Sequence, residues 1–589
     1  MAITRVFDLI QHYRDKFGDK PVAFSGKESG KWRDWSFSEF ERLAYALASG
    51  LIRLGLRRGD RVAIVSNNRP EWNIVDFGVQ LAGGILVPIY PTISENDLRF
   101  ILADSETRFI FLSSQVLYDK TTTVTKETLT KPLVYTFDKT TALSWREVIA
   151  EGEANPDNAE IEKIKRETKP DEICTILYTS GTTGTPKGVM LTHGNLVSNF
   201  SGLCDLPPVD ETSKVLSFLP LNHIYERIIV YVYLFRGPSV YYAESLETIG
   251  DNIREVKPHM FTCVPHLIQK VYNRITSKGA ELTGVKHKLF FWAVRLGEQF
   301  EVTGNSWWYN LKLKIASKLI FSKWREALGG NVRAMVSGGA ALEPRLARIF
   351  WAAGMPILEG YGLTETSPVI AVNTFEPGGM RFGTVGKVVK DVQVKFAEDG
   401  EILVKGPNVM QGYYKRPDLT AEVIDKDGWF HTGDIGTMVD GSYLKITDRK
   451  KEIFKTSGGK YIAPQLLENL LKTSRFVEQS MIIGENQKYA AALIVPSFAF
   501  LKEWAKRKGV NVGETNEQII TNPEVLKRIF EAVEKINAQL AQYERIKRII
   551  LLPKEWTTAG GELTPKLSIK RKIILEQNKG AIEKLYGEG

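Results

Sequence analysis

The first third of the chain alternates short apolar runs with stretches that carry helix signals. RVAIVS (Arg61–Ser66), ILVPIY (Ile85–Tyr90) and FIFLS (Phe109–Ser113) are typical of buried strands. Pro70 is suited to the first turn of one intervening helix, and Ser94–Asp97 offers a capping box for the next. This alternation predicts an α/β fold built on a largely parallel sheet.

The length of 589 residues is too great for a single hydrophobic core. After Gly400 the pattern shortens into strand-and-turn units, which predicts a β-rich portion. From Asp448 the sequence becomes denser in Lys and Glu, and Asn522–Arg548 has the pattern of one long helix. We therefore predict a large N-terminal domain of several subdomains, residues 1–447, and a small α+β C-terminal domain, residues 448–589.

Charge and composition limit the class of protein. The net charge of +9 indicates anionic ligands or an anionic surface, without separating nucleotides from membranes or nucleic acids. The longest apolar runs fall short of the roughly 20 residues of a spanning helix, and the start lacks the pattern of a secretory leader. Three singly spaced cysteines favour a reducing compartment. We expect a cytoplasmic protein, and we expect the charged segment 155–172 to be a surface connection.

An aromatic and basic stretch, Lys286–Arg325, has eight basic and two acidic residues. Its pattern predicts two or more helices. An interfacial helix that contacts an anionic membrane would have this composition. A buried aromatic helix pair with a solvated basic face would have the same composition, so both interpretations stay open. Its aromatic residues include Phe290, Phe291, Trp292, Trp307, Trp308, Tyr309 and Trp324.

The segment Tyr178–Gly188, YTSGTTGTPKG, follows the predicted strand Cys174–Leu177. Its glycines let the backbone approach a polyphosphate closely, its hydroxyl and N–H groups can donate to phosphate oxygens, and Lys187 supplies charge. The G-x-x-x-x-G-K-[ST] spacing of a Walker A loop cannot be laid over it. Taken alone it could also be a surface turn rich in Thr and Gly. We interpret it as a phosphate-binding loop.

This loop resembles that of the adenylate-forming (AMP-binding) superfamily, which includes acyl-CoA synthetases, luciferases and nonribosomal-peptide adenylation domains. SGGA (Ser337–Ala340), GYGLTETSP (Gly360–Pro368) and WFHTGDIG (Trp429–Gly436) resemble further motifs, in the family's order across nearly the whole chain. The resemblance implies that ATP and AMP contact Thr179, Ser180, Gly181, Thr182, Thr183, Gly184, Lys187, Gly338, Gly339, Ala340, Gly360, Tyr361, Gly362, Thr364, Asp434 and Arg449.

The same resemblance implies individual roles around the nucleotide. Tyr361 would stack on the purine and Thr364 would offer a hydroxyl to the α-phosphate. Glu365 and Thr183 would hold Mg²⁺, which prefers hard oxygen ligands. Asp434 would accept hydrogen bonds from the ribose hydroxyls, with Arg449 as a second partner for the diol.

The C-terminal part also resembles the family. Lys451 lies at the family's hinge, where the smaller domain is mobile and reorients between two half-reactions. The SGG turn, Ser457, Gly458 and Gly459, resembles the glycine loop that binds coenzyme A in the thiolation state. One extra residue before Ala463-Pro464 leaves open whether Gly458 or Gly459 makes the contact.

The family's catalytic lysine corresponds best to Lys566, although Pro565 replaces the expected glycine. Lys570 is the second candidate. A solvated basic tail is the alternative for both lysines.

The segment LPLNHIYER (Leu219–Arg227) resembles the variant typical of long-chain acyl-CoA synthetases. His223 would lie near the acyl carboxylate, or else has a structural role. The implied enzyme is a long-chain fatty-acid–CoA ligase whose catalytic residues are Lys566, Glu365, Thr364 and His223.

This resemblance also implies the partners of the chain. The substrate would be a fatty acid, and the enzyme would use ATP, Mg²⁺ and coenzyme A. We expect no nucleic-acid partner. We expect the protein to be a monomer or a homodimer. The alternatives are a fatty acyl-AMP ligase that loads a carrier protein, a ligase for a medium-chain or aryl acid, and a non-catalytic sensor that retains the fold.

Overall fold

The computed structural model describes residues 3–126, 131–180, 185–245, 247–557, 560–564 and 569–587. Its strands are β1 Phe24–Glu28, β2 Lys31–Trp35, β3 Arg61–Val65, β4 Ile85–Ile89, β5 Phe109–Leu112, β6 Leu133–Thr136, β7 Leu143–Ser144, β8 Ile173–Ser180, β9 Pro186–Thr192, β10 Lys214–Ser217, β11 Ser239–Tyr242, β12 Met260–Cys263, β13 Ala334–Ser337, β14 Ile357–Gly362, β15 Val369–Val372, β16 Lys387–Val388, β17 Gln393–Phe396, β18 Glu401–Lys405, β19 Gly412–Tyr413, β20 Phe430–Val439, β21 Tyr443–Arg449, β22 Phe454–Lys455, β23 Tyr461–Ile462, β24 Val477–Ile483, β25 Ala490–Pro496 and β26 Ile546–Leu551.

Its α-helices are α1 Asp8–Phe17, α2 Phe37–Arg53, α3 Pro70–Leu81, α4 Glu95–Asp104, α5 Gln115–Thr125, α6 Trp145–Ala154, α7 Asn158–Glu167, α8 His193–Ser201, α9 Ile224–Arg236, α10 Ile249–Val256, α11 Pro265–Ala280, α12 Gly284–Glu298, α13 Trp307–Ala316, α14 Ser322–Ala327, α15 Pro344–Ala352, α16 Pro417–Val423, α17 Pro464–Leu471, α18 Phe498–Lys508, α19 Asn516–Thr521, α20 Pro523–Asn537, α21 Arg571–Gln577 and α22 Lys579–Gly587. A π-helical turn, Ser317–Phe321, joins α13 to α14, and a 3₁₀ turn, Thr364–Thr366, follows β14.

Two large sheets form the centre of the fold. One has the order β19-β9-β8-β4-β3-β5-β6-β7 and is parallel from β8 to β7. The other has the order β16-β15-β14-β13-β12-β10-β11-β1-β2 and is parallel from β14 to β1. Antiparallel strands lie only at the edges of these described sheets. The predicted α/β fold is confirmed.

Local signals in the first third explain why its elements form. The interior strands β4 and β5 are almost completely buried, as expected of parallel strands covered on both faces. Pro70 begins α3, where its missing N–H costs no hydrogen bond. The Ser94 hydroxyl accepts a hydrogen bond from the Asp97 N–H and caps α4.

The second half of the chain contains smaller sheets. Strands β17, β18, β20 and β21 form an antiparallel sheet, in agreement with the predicted β-rich portion. Strands β24, β25 and β26 form a three-stranded sheet in the C-terminal part. Its two hydrophobic clusters draw their members from Phe454 onward, whereas the clusters of the larger part end at Ile446. The boundary at Asp448–Lys451 stays a prediction.

One sequence-based prediction of local structure is incomplete and another is wrong. The segment 155–172 is largely exposed, as predicted for a surface connection, but it also contains α7, because Asp157 caps the helix and two isoleucines, Ile161 and Ile164, bury one side of it. The predicted helix over Asn522–Arg548 ends at Asn537, and the rest leads into β26. At the end of the helix, the side-chain amide of Asn537 donates to the Ile546 carbonyl at 3.0 Å and accepts from the Ile546 N–H at 2.9 Å, which joins the helix end to β26. The helices predicted within Lys286–Arg325 are confirmed.

No helix within the described ranges is long and apolar enough to cross a bilayer.

Candidate functional site

Three of the predicted motifs lie at one edge of the nine-stranded sheet. Strands β10, β12, β13 and β14 are parallel neighbours, so their carboxyl ends meet at the same edge. The segment Leu219–Arg227 follows β10, Gly338–Ala340 follows β13, and Gly360–Gly362 ends β14. Ligands of open α/β sheets bind at such edges, and the residues of these three segments lie there.

His223 begins α9 as its N-terminal cap. Its Nδ1 accepts a hydrogen bond from the Tyr225 N–H at 3.0 Å, so in the neutral ring the proton is on Nε2. The Tyr225 hydroxyl donates to the Val336 carbonyl at 3.1 Å. A Cβ at Gly338 would lie 3.3 Å from the Tyr225 ring, so the two segments are in close contact. Tyr225 was not predicted, although it lies inside the LPLNHIYER motif.

Tyr361, Asp434 and Arg449 form one hydrogen-bonded group. The Tyr361 hydroxyl donates to Asp434 Oδ2 at 2.7 Å, and Arg449 Nε donates to Oδ1 at 3.0 Å. Asp434 on β20 pairs with Arg449 on β21 in the sheet register, which fixes their separation. Burial raises the pKa of Asp434 above its ordinary value, against the opposing effect of the Arg449 guanidinium. The structure therefore brings together three residues that the sequence analysis took from three separate motifs.

The predicted phosphate loop connects β8 to β9 as an antiparallel hairpin. Thr179 pairs with Lys187 across it, and Gly188 is required because a Cβ there would lie 2.9 Å from Ile176. Residues Gly181–Gly184, with Thr182 and Thr183, lie outside the described residues, and the Ser180 side chain is also not described. The Lys187 ammonium lies 5.2 Å from the centre of the Tyr413 ring.

Tyr413 joins Lys187 to Glu365. Its hydroxyl donates to Glu365 Oε1 at 3.0 Å, and the backbone N–H of Met410 donates to the Glu365 carbonyl at 2.8 Å. Burial and the neighbouring carboxylate raise the pKa of Tyr413, so its hydroxyl remains a donor. The sequence analysis did not predict Tyr413. The segment GPNVMQGYY (Gly406–Tyr414) could have indicated it, because its two tyrosines end the segment that pairs with β9.

Of the two predicted metal ligands, Glu365 is the one that lies among the described residues. Across the described ranges, no group of three His, Cys, Asp or Glu residues could hold a metal ion by itself. Mg²⁺ is commonly held by one or two carboxylates together with substrate phosphates, and a single half-buried carboxylate beside a phosphate loop fits that donor set. Thr364 beside it is buried in the 3₁₀ turn. Thr183, the other predicted ligand, is outside the described part.

The glycines predicted to face the nucleotide have different steric requirements. A Cβ at Gly362 would lie 1.8 Å from the Pro368 carbonyl oxygen, whereas at Gly360 the nearest atom is 3.6 Å away. Gly339 adopts a φ of +80°, which favours glycine. Gly339 and Ala340 are exposed at the sheet edge, next to buried Gly338.

Two buried carboxyl groups behind the edge were not predicted as site residues. Glu359 precedes Gly360, and burial raises its pKa to about 8. Its Oε1 accepts from the Leu342 N–H at 3.2 Å. Glu226 on α9 accepts hydrogen bonds from Ser217 and Thr262, and burial raises its pKa to about 7. Glu359 thus accepts from a backbone N–H, whereas Glu226 accepts from side-chain hydroxyls on β10 and β12.

Arg227 is completely buried and has a structural role. It forms an ion pair with Asp76, its Nη1 donates to Thr175 at 2.8 Å, and its Nε donates to Tyr231 at 2.7 Å. This network connects α9 to α3 and β8, and so joins the two large sheets. Sequence spacing could not reveal it, because Asp76 is 151 residues away.

The predicted glycine loop of the C-terminal part is an exposed turn between β22 and β23. It consists of Ser457, Gly458 and Gly459, and the Ser457 N–H donates to the Gln487 carbonyl at 2.9 Å. A Cβ at Gly458 would meet no atom within 4 Å, and neither would one at Gly459. Gly459 alone of the pair adopts a positive φ, +74°, so the backbone requires glycine there but not at Gly458. Among the described residues, no contact joins Gly458 to the group around Asp434. The role of Gly458 toward coenzyme A stays a prediction.

Two of the three predicted hinge and catalytic lysines, Lys451 and Lys570, lie among the described residues. Lys451 is exposed just after β21. Lys570 is exposed at the start of α21. Lys566 lies outside the described residues, between Leu563 and Ile569, which pair as an antiparallel bridge.

Arg571 anchors the end of that segment. Its guanidinium contacts Glu468 of α17 and donates to Glu452 at 3.3 Å and to the Ile482 carbonyl at 3.0 Å. Of the two candidate lysines, Lys570 is the described one, and its neighbour Arg571 is thus tied to residues that follow the predicted hinge.

Comparisons with known proteins identify the family of the chain. The pattern of the family described as AMP-binding enzyme matches residues 10–414, and that of the AMP-binding enzyme C-terminal domain matches residues 451–589. The chain is 34% identical over 592 aligned positions to the long-chain-fatty-acid–CoA ligase FadD15 of Mycobacterium bovis, covering 98% of this chain and 96% of that protein. It is 32% identical to the human long-chain-fatty-acid–CoA ligase 6, covering 97% and 85% of the two chains.

A solved structure gives the same fold at lower sequence identity. The adenylation domain of a carboxylic acid reductase from Segniliparus rugosus, in complex with AMP and a co-purified carboxylic acid, superimposes with a TM-score of 0.74 at 21% identity. The match covers 99% of this chain and 94% of that domain.

Proposed function

This chain belongs to the AMP-binding enzyme family, and from that premise we propose that it joins a long-chain fatty acid to coenzyme A. ATP is cleaved to AMP and pyrophosphate in the process. The acid is first activated as an acyl-adenylate and is then transferred to the thiol. The similarity to long-chain-fatty-acid–CoA ligases over nearly the full length of the chain supports this choice of substrate.

The group of Tyr361, Asp434 and Arg449 carries the proposal. A buried carboxylate between a phenol and a guanidinium is suited to bind a diol, because its oxygens accept and the guanidinium donates. The Tyr361 ring beside it offers a flat face to a purine. A ribose and a purine are the parts of ATP that remain in AMP.

In the first half-reaction a carboxylate oxygen of the acid attacks the α-phosphorus of ATP. A new O–P bond forms, and the bond to pyrophosphate breaks. Both reactants are anionic, so the site must offer positive charge and oriented donors. We assign this role to Lys187, Thr364 and Lys566, with the hydroxyls of Ser180, Thr182 and Thr183.

Glu365 and Thr183 would hold Mg²⁺. When bound, the ion supplies positive charge that offsets the charge of the polyphosphate. Tyr413 orients Glu365 through its hydroxyl.

In the second half-reaction the thiolate of coenzyme A attacks the acyl carbonyl carbon. The C–S bond forms, and the bond to the AMP oxygen breaks. We propose that residues 448–589 act as a C-terminal domain that turns about Lys451 relative to residues 1–447. This turn removes Lys566 from the site and presents the exposed turn of Ser457, Gly458 and Gly459 to coenzyme A.

We assign to His223 the role of orienting the acid. Its Nδ1 is occupied by the Tyr225 N–H, which leaves Nε2–H as the donor of the neutral ring. We assign this donor to a carboxylate oxygen of the acid, beside Gly338. The chain acts in the cytoplasm as a monomer or homodimer, in peripheral contact with an anionic membrane.

The test is AMP release from ATP and Mg²⁺ with saturated acids of graded length and with benzoate, each with and without coenzyme A. We expect AMP release that requires both a long-chain acid and coenzyme A, with acyl-CoA recovered. Stable acyl-adenylate without thioester would favour a carrier-protein acceptor. Absence of AMP release with every acid would contradict the enzymatic proposal.

A further inference from the structure

The C-terminal part of the chain contains a cavity that the proposed reaction does not use. Its volume is about 560 Å³, within the range of pockets that hold small-molecule ligands. Its walls come mainly from helices α18 and α20 and from the segment 473–476, which follows α17. None of the lining residues belongs to the motifs assigned above to ATP, AMP or coenzyme A.

The lining of this cavity is strongly positive. It contains no acidic side chain and five basic ones, which are Arg475, Arg507, Lys508, Arg528 and Lys535. Two of the arginines form an ion pair with a glutamate of their own helix, Glu503 or Glu531, which lies outside the lining. Lys508 and Lys535 form no salt bridge with any carboxylate in the described part of the chain. Their charge therefore remains available to an anionic ligand.

Three aromatic side chains form the apolar wall of the cavity: Phe476, Phe500 and Trp504. Phe476 is buried, and the other two rings lie almost perpendicular to it, with ring centres 5.1 and 6.0 Å away. The Arg528 guanidinium lies 4.5 Å from the centre of the Phe476 ring, which holds this cation beside the wall. Phe500 and Trp504 are half-buried, so a flat ring of a ligand can pack against them.

Cations beside an aromatic wall suit a ligand that has both a planar ring and several phosphates. Arginine binds phosphate through paired N–H donors and also stacks on flat rings, whereas lysine neutralises phosphate as a point charge. An aliphatic ligand would leave the five cations without partners, and inorganic phosphate would leave the aromatic wall unused. A nucleoside polyphosphate uses both parts of the cavity.

Arg475 connects this cavity to the N-terminal part of the chain. Its guanidinium lies 4.0 Å from the Glu298 carboxylate and 5.5 Å from the centre of the Phe291 ring, both on α12. A phosphate bound in the cavity would compete with Glu298 for the same guanidinium. Binding in the cavity and the contact with α12 are therefore linked, and each must weaken the other.

We propose that this cavity is a second nucleotide site, separate from the catalytic one, which binds a nucleoside polyphosphate as an effector whose phosphates compete with Glu298 for Arg475. The competition weakens the contact of the C-terminal part with α12. The effect of this weakening on the domain turn rests on the function proposed above, whereas the binding site does not.

Equilibrium dialysis with labelled ATP and Mg²⁺, without acid or coenzyme A, counts the sites. We expect two bound nucleotides per chain, and Asp434→Ala should weaken the catalytic one and leave the other unchanged. Lys508→Glu/Lys535→Glu should raise the Kd of the other site at least about ten-fold, because it removes two charged contacts to phosphate. A single site that Asp434→Ala weakens and Lys508→Glu/Lys535→Glu does not would overturn the proposal.

Lys506→Glu/Lys527→Glu is the matched control. Both lysines are exposed on the same two helices, and neither lines the cavity. The control changes the net charge by the same amount and should bind two nucleotides with the original affinities. An equal loss of binding in the control would show that general charge attraction holds the nucleotide, and the assignment to the cavity would be wrong.

Photo-crosslinking of the original chain covers the case in which a variant does not fold. The probe is an ATP analogue with a photoreactive azide on its adenine, and mass spectrometry of the peptides locates the label. We expect label within residues 473–476 or 500–508, in addition to label near Tyr361. Label near Tyr361 alone would contradict a second site.

Competition in the Asp434→Ala variant defines the ligand. ADP should displace ATP from the cavity at a concentration at least about ten-fold lower than adenosine or pyrophosphate does, because each of these offers only one of the two recognised parts. Pyrophosphate as effective as ADP would reduce the site to an anion patch. Tighter binding of coenzyme A would assign the cavity to the thiol substrate, and tighter binding of a single-stranded oligonucleotide would assign it to nucleic acid. Each of these three results would overturn the proposal.

Glu298→Gln tests the link to α12. Without the competing carboxylate, the Kd of the cavity for ATP should fall about two- to five-fold, which is the range for a partly exposed ion pair. Glu301→Gln is the control, because Glu301 pairs with Arg348 instead. An unchanged Kd in Glu298→Gln would refute the competition for Arg475. If ATP binds in the cavity but no acid supports AMP release, the proposed function fails and the second site stands.

Discussion

The hydroxyl of Tyr361 donates a 2.7 Å hydrogen bond to Asp434, which is 73 residues later in the chain. Asp434 has only 8% of its side chain exposed, and its other carboxylate oxygen forms an ion pair with Arg449. A carboxylate held in this way is preorganised, so the ribose diol that we assign to it would meet acceptors already in position.

The first prediction concerns this carboxylate. Asp434→Ala should lower kcat/KM for ATP about 10- to 100-fold, because hydrogen bonds to a charged group contribute about 1.5–3 kcal/mol. Tyr361→Phe keeps the ring and should cost less than Asp434→Ala. Steady-state AMP release at varied ATP measures both. Asp440, an exposed carboxylate at the far end of the same hairpin, serves as the control; an Asp440→Ala loss as large as that of Asp434→Ala would refute the ribose assignment.

The second prediction concerns Tyr413 as a positioning residue. Tyr413→Phe removes the hydrogen bond to Glu365 while keeping the ring beside Lys187. We expect the Mg²⁺ concentration for half-maximal rate to rise about 10- to 100-fold, as is typical when a residue that orients a metal ligand is lost. Glu365→Gln should raise it further. Tyr414→Phe is the matched control, and an unchanged Mg²⁺ dependence in Tyr413→Phe would contradict the role.

The third prediction concerns pH. The pKa of Glu359 is about 8 in the folded chain, above the ordinary 4.5, because the group is buried. Its contribution to the free energy of unfolding is therefore fully present below pH 4.5 and is lost as pH rises through 8. In the Glu359→Gln variant, the free energy of unfolding should fall less steeply with pH between about pH 5 and 9, with these limits good to about one pH unit. Denaturant titrations at several pH values measure this. A pH dependence identical to that of the original chain would contradict it.

The fourth prediction compares two glycines of one motif. Gly362→Ala should destabilise the chain by about 2–3 kcal/mol, because its Cβ would overlap the Pro368 carbonyl and the backbone must move. Gly360→Ala meets only ordinary contacts at 3.6 Å and should change stability by less than about 1 kcal/mol. Chemical denaturation of both variants measures the difference, and equal losses would show that the β14–β15 approach is not the constraint.

Local sequence signals predicted much of the fold. Short apolar runs indicated the parallel strands, and Pro70 and Ser94 marked the starts of α3 and α4. The charged composition of 155–172 concealed α7, because only Ile161 and Ile164 of that helix are buried. The end of α20 depends on Asn537 pairing with Ile546, a contact that a periodic pattern does not encode.

Site residues could be predicted where the side chains within a short motif indicate a binding role by themselves. Tyr361, Asp434 and Arg449 were identified from three motifs, and the fold brings them into hydrogen-bond contact. Tyr413 and Glu359 were missed because their roles come from neighbours far away in sequence and from burial.

The C-terminal assignments could not be read from local chemistry in the same way. The roles of Lys566 and of Ser457, Gly458 and Gly459 stay predictions, because they depend on how residues 448–589 meet the rest of the chain during the reaction.

The oxygen balance of the reaction gives the most direct test of the central claim. Palmitate labelled with ¹⁸O in its carboxylate is incubated with the chain, ATP, Mg²⁺ and coenzyme A, and the products are analysed by mass spectrometry. Attack of the carboxylate on the α-phosphorus, followed by thiol attack on carbon, must leave one labelled oxygen in the phosphate of AMP. We predict labelled AMP and unlabelled pyrophosphate. Unlabelled AMP, or label in inorganic phosphate, would contradict an acyl-adenylate intermediate.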